Sequence, residues 1–410
     1  MLEFGGERVR RALTLIVVAG LGLLAAGVVY LRPSLNAPAT QSVPRAGPSR
    51  QVAQPVFFNV SFGDAEHGAV QVFSQTNQPD RLPPIYLTSD GGRTWRPIAR
   101  RAYPITAVTF VGQRRMLAEE AAGGTPALVT SEDDGRTWQP LSVDPRQFII
   151  GNFWPVFLGS NGWWLDWQPP SAPRSQPSSP AGMWHSSDGG RTWARLAASG
   201  IPRFQYSDRV RFVDQRHGLL AMISAEDPSR AMIVATADGG VTWEPAATFD
   251  SPLVGTRPFG ILLLQHGMRL LAWLAVSSQT SPAPQLPGEE FVTSTFAAVS
   301  DDGGATWGPL RPGPVTTASP AAVIDDKGRL LLLDGHRLWI SKDGGATWDA
   351  RVAVMPQGLT PVFVVAAMPG SIYAVAVQSS DIPRLGNAPA ALLRSWDGGI
   401  HWTEVRFPRA

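Results

Sequence analysis

The chain contains no cysteine among its 410 residues, which excludes disulfide bonds and thiolate chemistry. Only Lys327 and Lys342 are lysine, so almost all of its cationic side chains are arginine. The net charge is only +2, which gives no reason to expect a nucleic-acid partner. The six histidines are scattered and lack the spacing of metal ligands. From these absences we expect no cofactor, no bound metal ion and no nucleic acid.

Charge is also absent from a long apolar stretch near the N-terminus, residues 12–31. Its length suffices for a helix that crosses a bilayer. Arginines at positions 8, 10 and 11 precede it, so the positive-inside rule places residues 1–11 in the cytoplasm. We expect an uncleaved transmembrane anchor. A cleaved signal peptide is the alternative, because small residues follow at 37–39.

The residues after the apolar stretch divide into two parts. Residues 32–55 are rich in proline, serine and alanine without apolar periodicity, which is typical of a disordered linker. Residues 56–410 carry a repeat and form the predicted folded domain. With the N-terminus in the cytoplasm, this domain is expected on the periplasmic or extracellular side, held to the membrane by the anchor.

The repeat is Ser/Thr-x-Asp-x-Gly-x-Thr-Trp, and it occurs seven times. We call each copy a box and number the boxes from 1 to 7. The box aspartates are Asp90, Asp133, Asp188, Asp238, Asp302, Asp343 and Asp397. The box glycines are Gly92, Gly135, Gly190, Gly240, Gly304, Gly345 and Gly399. The box tryptophans are Trp95, Trp138, Trp193, Trp243, Trp307, Trp348 and Trp402.

Each box has the chemistry of a turn between two strands. The aspartate can accept hydrogen bonds from the backbone N–H groups just ahead, and the glycine supplies a positive φ. A calcium loop would need more oxygen ligands, so we interpret the boxes as structural. Box 7 has Ile400 and His401 where the others have a free position and threonine, and we expect a looser turn there.

A turn motif that recurs about every fifty residues is typical of a β-propeller. The sequence therefore predicts an all-β, seven-bladed β-propeller of four-stranded antiparallel blades, preceded by one transmembrane helix. We name the strands of a blade a to d from the inside outwards, with the box joining c to d. On this division almost all long insertions fall between b and c, at 74–84, 120–126, 168–181, 225–230, 278–290 and 378–389.

The insertions predict where binding takes place. Strands alternate in direction, so the b–c and d–a connections share one face of the disc, and the a–b turns and the boxes share the other. Loops on a rigid scaffold commonly carry binding residues, and we expect a protein partner at the b–c face. Trp167 stands beside an insertion and is the best candidate for a binding aromatic. The sequence offers basic patches as further candidates, at Arg114, Arg115, Arg209 and Arg211.

The boxes resemble the Asp-box (BNR) repeat, which sialidases, sortilin-type receptors and the photosystem II stability/assembly factor family share. Segments 60–68 and 210–218 look like the a–b hairpins of the assembly-factor family, since both place an aromatic strand, a polar turn and glycine at one offset. This resemblance implies a non-catalytic scaffold or assembly factor for a membrane or surface complex.

Two alternatives to a scaffold remain open at this stage. Tryptophans on a loop-rich face would also suit a glycan-binding propeller. A sialidase-like glycosidase would need three arginines, a tyrosine–glutamate pair and an acidic aspartate. The string nearest to the sialidase Arg-Ile-Pro motif, Arg81-Leu82-Pro83, lies only nine residues before Asp90, and we find no evident tyrosine–glutamate pair. We therefore lean towards a protein without catalytic activity.

Overall fold

The computed structural model describes residues 56–74, 85–98, 105–112, 114–122, 125–141, 155–166, 182–277, 293–316, 322–368, 370–378 and 390–408. All regular structure in this part of the chain is β-strand, arranged as seven sheets. The described residues contain no helix long and apolar enough to cross a membrane. The predicted anchor at 12–31 and the linker at 32–55 lie outside them.

Each sheet is one blade made from consecutive strands. Blade 1 contains β1 (Val56–Phe62), β2 (Gly68–Ser74), β3 (Ile85–Thr88) and β4 (Arg96–Pro97). Blade 2 contains β5 (Ile105–Val111), β6 (Arg115–Ala122), β7 (Thr125–Ser131) and β8 (Gln139–Pro140). Blade 3 contains β9 (Val156–Leu158), β10 (Asn161–Asp166), β11 (Gly182–Ser186) and β12 (Ala194–Leu196). Blade 4 contains β13 (Phe204–Ser207), β14 (Arg211–Phe212), β15 (Gly218–Ser224), β16 (Arg230–Thr236) and β17 (Glu244–Asp250).

The remaining three blades follow the same order. Blade 5 contains β18 (Arg257–His266), β19 (Arg269–Ser277), β20 (Ser294–Ser300) and β21 (Arg311–Pro312). Blade 6 contains β22 (Ala322–Ile324), β23 (Leu330–Asp334), β24 (Arg337–Ser341) and β25 (Asp349–Val352). Blade 7 contains β26 (Leu359–Met368), β27 (Ser371–Gln378), β28 (Ala390–Ser395) and β29 (Thr403–Glu404). The predicted seven-bladed, antiparallel all-β fold is therefore confirmed.

The structure departs from the predicted blades at two places. In blade 2 the interval 120–126 is not an insertion, because β6 and β7 stay paired up to Ala122 and Thr125. In blade 4 the innermost strand is broken, since β13 and β14 both pair with β15 and residues 208–210 leave the ladder between them.

The hydrophobic core lies between the blades. Seven clusters of buried apolar side chains each join two neighbouring blades, and together they run around the whole ring. Alternation along β10 sends Trp163 towards blade 4 and Trp164 towards blade 2. Each box tryptophan packs at the junction with the preceding blade, so the repeat that makes the turns also makes the core.

The ring closes between blades 7 and 1 without exchange of a strand, because both sheets are built from consecutive strands. Side chains join these blades instead. Phe407 stacks on Tyr86 with ring centroids 4.5 Å apart, and Trp95 meets the edge of Phe407. Tyr373 lies against Phe62 from the other side. We call this junction the closing seam.

Candidate functional site

The seven boxes form one repeated hydrogen-bonded turn. In box 4 the hydroxyl of Thr236 donates to Asp238 over 2.8 Å and accepts the N–H of Gly240 over 2.9 Å. Asp238 also accepts the backbone N–H and the hydroxyl of Thr242, over 2.9 Å and 2.6 Å. The indole nitrogen of Trp243 donates to the backbone oxygen of Gly240. The aspartate is thus occupied by its own turn.

These hydrogen bonds act on the charge of the box aspartates. Donation from Thr242 lowers the pKa of Asp238 to about 2, and donation from Thr306 does the same for Asp302. Donors from Thr137 lower the pKa of Asp133 to about 2 as well. Carboxylates held in this way remain ionised and already have hydrogen-bond donors on their oxygens.

Box 7 closes in the same way as the others, so the looser turn that we expected there is not found. The Nδ1 atom of His401 lies 2.5 Å from Asp397 and takes the position of the threonine hydroxyl. The backbone N–H of His401 donates to the same carboxylate over 2.9 Å. Burial would raise the pKa of Asp397, but the bonds from His401 outweigh it and lower the pKa.

The boxes and the a–b turns occupy one face of the disc, which we call the box face. The N–H of Gly91 donates to the backbone oxygen of Glu66, and the N–H of Gly239 donates to the backbone oxygen of Arg216. The box and the a–b turn of one blade are therefore in contact. The two predicted hairpins share one geometry. Asp64 binds the backbone and ring of His67, and Asp214 does so with His217.

The opposite face carries the b–c and d–a connections, and we call it the b–c face. The long b–c intervals of blades 1, 3, 5 and 7 lie outside the described residues. Blade 4 does present a described part of this face. There the d–a turn at 251–256 touches the b–c loop at 225–229, because Ser251 donates its N–H to Ser229 over 2.9 Å.

This d–a turn is closed by hydrogen bonds and exposes two apolar side chains. The Thr256 hydroxyl donates to the backbone oxygen of Leu253 over 2.7 Å and lies 2.6 Å from the Ser251 hydroxyl. Leu253 is 39% exposed and Val254 is fully exposed. We did not select either from the sequence; the signal was an apolar pair between two turn-forming segments, Asp250-Ser251-Pro252 and Gly255.

The structure describes four of the five predicted binding residues, and Trp167 lies outside the described residues. Arg114 and Arg115 lie at the box face, where β6 begins. Both have acidic partners, Asp134 at 3.2 Å from Arg114 and Glu132 at 2.9 Å from Arg115.

Arg209 and Arg211 belong to the broken innermost strand of blade 4. Burial lowers the pKa of Arg209 to about 10, and repulsion by Arg211 adds to this, whereas Asp208 and Tyr206 act in the opposite direction. Arg211 reaches the Asp208 carboxylate at 4.0 Å. Asp208 itself is buried and accepts the N–H of Leu263 in blade 5 over 2.7 Å, so it links two blades.

The described tyrosines are placed for packing. The hydroxyl of Tyr86 donates to the backbone oxygen of Pro408, and that of Tyr373 donates to Gly91. Tyr206 packs against the cluster between blades 4 and 5, and burial raises its pKa. None of these three hydroxyls has a hydrogen bond from or to a glutamate in the described part of the chain. The described residues also contain no group of three or more acidic or histidine side chains that could hold a metal ion.

No protein-family model and no curated protein matches the chain. Among solved structures, the chain is similar to YCF48 from Cyanidioschyzon merolae, with a TM-score of 0.50 and 14% identity over 85% of this chain and 97% of that one. A structure described as YCF48 bound to D1 peptide gives 0.48 and 17% identity over 88% and 98%. The α-L-arabinofuranosidase Arb93A from Fusarium graminearum gives 0.44 and 11% identity over 84% and 98%.

The similarity to YCF48 from Cyanidioschyzon merolae confirms the predicted resemblance to assembly-factor propellers at the level of the fold. A fold shared at 14% identity does not by itself establish what this chain does. The function has to be argued from this chain's own surface.

Proposed function

We propose that the chain is a non-catalytic, membrane-anchored propeller outside the cytoplasm, whose b–c face binds a protein partner in a membrane or surface complex. The observation that carries the proposal is the exposed Leu253–Val254 pair on a hydrogen-bonded turn of that face. A pre-ordered apolar tip loses little conformational entropy on binding, which favours its use as a contact.

The surroundings of this tip suit a protein interface. Arg230 pairs with Asp250 at 2.7 Å and with Asp227 at 3.4 Å, and all three side chains are exposed. An apolar centre with a charged, solvated rim is the usual anatomy of such interfaces. The b–c intervals of four further blades end at the same face and would add contacts around it.

The test is affinity purification of the tagged, full-length protein from its native membranes in mild detergent after brief crosslinking. The informative variant is Leu253→Asp with Val254→Asp, and the matched control is Val241→Asp. Val241 has the same 39% exposure as Leu253 in the same blade, but it lies on the box face. We expect the variant to reduce partner recovery about tenfold or more, as loss of an interface hot spot does, and the control to leave it unchanged.

Equal recovery with both variants would refute the b–c face as the docking surface. Purification of the protein without a partner would refute the scaffold proposal. Glycan binding and sialoside hydrolysis would then be measured. The anchor is tested separately, because a chain retained in the membrane by residues 12–31 resists alkaline extraction, whereas a cleaved one does not.

A further inference from the structure

Blade 7 departs from the box repeat at two positions beside the closing seam. The residue that precedes the first box residue is Leu, Thr, His, Ala, Val and Ile in blades 1 to 6, and Arg394 in blade 7. The second box position is Ser, Glu, Ser, Ala, Asp and Lys in blades 1 to 6, and Trp396 in blade 7. Both departures therefore fall in one blade. Since the other six boxes form the same turn without them, Arg394 and Trp396 are not required for the turn itself.

Arg394 is a buried cation that forms no ion pair with any carboxylate in the described part of the chain. Only 3% of its surface is exposed, and its Nε and Nη1 atoms have no hydrogen-bond partner. Burial lowers its pKa to about 10 and repulsion by Arg93 adds to the effect, whereas Tyr373 and Asp90 act in the opposite direction. The described residues include no carboxylate in ion-pair contact with it, and the carboxylate of Asp90 is already bound by its own box.

Aromatic rings surround this guanidinium but offer it no acceptor. It lies over the Tyr373 ring, 5.4 Å from the centroid, and against the indole of Trp396. The indole is 45% exposed, and Arg93 lies 5.3 Å from its centroid. Cation–π contacts stabilise the charge in part, yet the unpaired N–H groups of a buried guanidinium still carry a desolvation penalty.

We propose that Arg394, Arg93 and Trp396 form a binding site for an oxyanion, namely a carboxylate, sulfate or phosphate group, at the box-face end of the closing seam. The oxyanion supplies the missing acceptors and offsets two positive charges at once. The indole of Trp396 contacts Arg394 and is itself exposed, so the proposed site borders on solvent. This site is on the opposite face from the proposed docking surface and does not depend on it.

The experiment uses the full-length protein in mild detergent with sodium sulfate, phosphate or acetate, each compared with chloride at equal ionic strength. Melting temperature and tryptophan fluorescence are the readouts. We expect a saturable rise in melting temperature with at least one anion, and Arg394→Gln should weaken its apparent Kd about tenfold to a hundredfold, as loss of a charge-assisted hydrogen bond does. Response to acetate alone indicates a carboxylate ligand; response to sulfate or phosphate indicates a tetrahedral one.

The matched control is Arg269→Gln, because Arg269 is also on the box face but is paired with Asp301 at 2.6 Å. It should keep the full response, and Trp396→Phe should lose the fluorescence change while it keeps the shift in melting temperature. Should Arg394→Gln fail to fold, Arg93→Gln and Trp396→Phe carry the test. Absence of a saturable response to all three anions, or equal loss in Arg269→Gln, overturns the site.

Discussion

The hydroxyl of Tyr373 in blade 7 donates a hydrogen bond to the backbone oxygen of Gly91 in blade 1, across 3.2 Å. Tyr373 is fully buried, and burial raises its pKa to about 12. No strand crosses this seam, so the bond and the aromatic packing around it hold the two ends of the propeller together. Because blades 1 and 7 are the first and the last blades, no short connection of the chain joins them, and the closing seam depends on side-chain contacts.

Removal of the seam's side chains should destabilise the whole ring. We expect Tyr373→Phe to lower the free energy of unfolding by about 0.5–1.5 kcal/mol, the usual value of one hydrogen bond. Phe407→Ala should cost about 1–3 kcal/mol, because the half-buried ring loses its packing on Tyr86 and Trp95. Urea unfolding followed by tryptophan fluorescence measures both. If Phe407→Ala costs no more than an exposed substitution, the C-terminal segment does not close the ring.

Alanine substitutions at Gly92 and Gly335 distinguish the cost of backbone strain from the cost of a steric clash at the closing seam. Both have positive φ, +79° and +56°, so alanine is strained at either position. A Cβ at Gly92 would lie 2.1 Å from the Tyr373 hydroxyl, whereas a Cβ at Gly335 meets open space. We expect Gly335→Ala to cost about 1–2 kcal/mol and Gly92→Ala about 1–3 kcal/mol more, measured by urea unfolding. Equal losses would show that blades 1 and 7 separate enough to admit a methyl group.

The repeat made the architecture predictable. A box encodes its own turn through Asp, Gly and Thr, and its tryptophan encodes the contact with the preceding blade, so seven boxes predict seven blades and their order. The tight b–c turn of blade 6 has similar local turn chemistry: Gly335 and His336 form the turn, and Asp334 pairs with Arg337 across it.

The departures from the repeat were not predictable, because they depend on contacts between distant parts of the chain. At the break in blade 4, Asp208 accepts a hydrogen bond from Leu263 of blade 5, a contact that the local sequence does not reveal. Arg114 lies on the box face because it directly precedes β6, and neither composition nor local charge reveals this. The sequence shows that Arg394 departs from the repeat. Only the structure shows that Arg394 is buried at the junction with blade 1.

Acid should unfold the protein through its box aspartates. The pKa of Asp238 falls from 3.8 to about 2 on folding, so its stabilising contribution is present above pH 3.8 and is lost as the pH falls towards 2. Asp238→Asn removes this contribution. We expect its deficit in unfolding free energy to be largest at neutral pH and to shrink below pH 4, measured by urea unfolding at each pH. Asp250→Asn, at an exposed ion pair with Arg230, is the control, and a deficit independent of pH would contradict the linkage.

Asp208 should control local opening of blade 5. Its carboxylate is the acceptor for the N–H of Leu263, and Asp208→Ala leaves that buried donor without a partner. We expect a loss of about 1–3 kcal/mol in stability, together with faster amide exchange of a peptide that contains Leu263, measured by hydrogen–deuterium exchange mass spectrometry. Asp227→Ala at an exposed ion pair should cost less stability than Asp208→Ala and leave that peptide protected. If Asp208→Ala exchanges like the unmodified chain at Leu263, the two inner strands are held together by apolar packing alone, and the charge on Asp208 serves only Arg209 and Arg211.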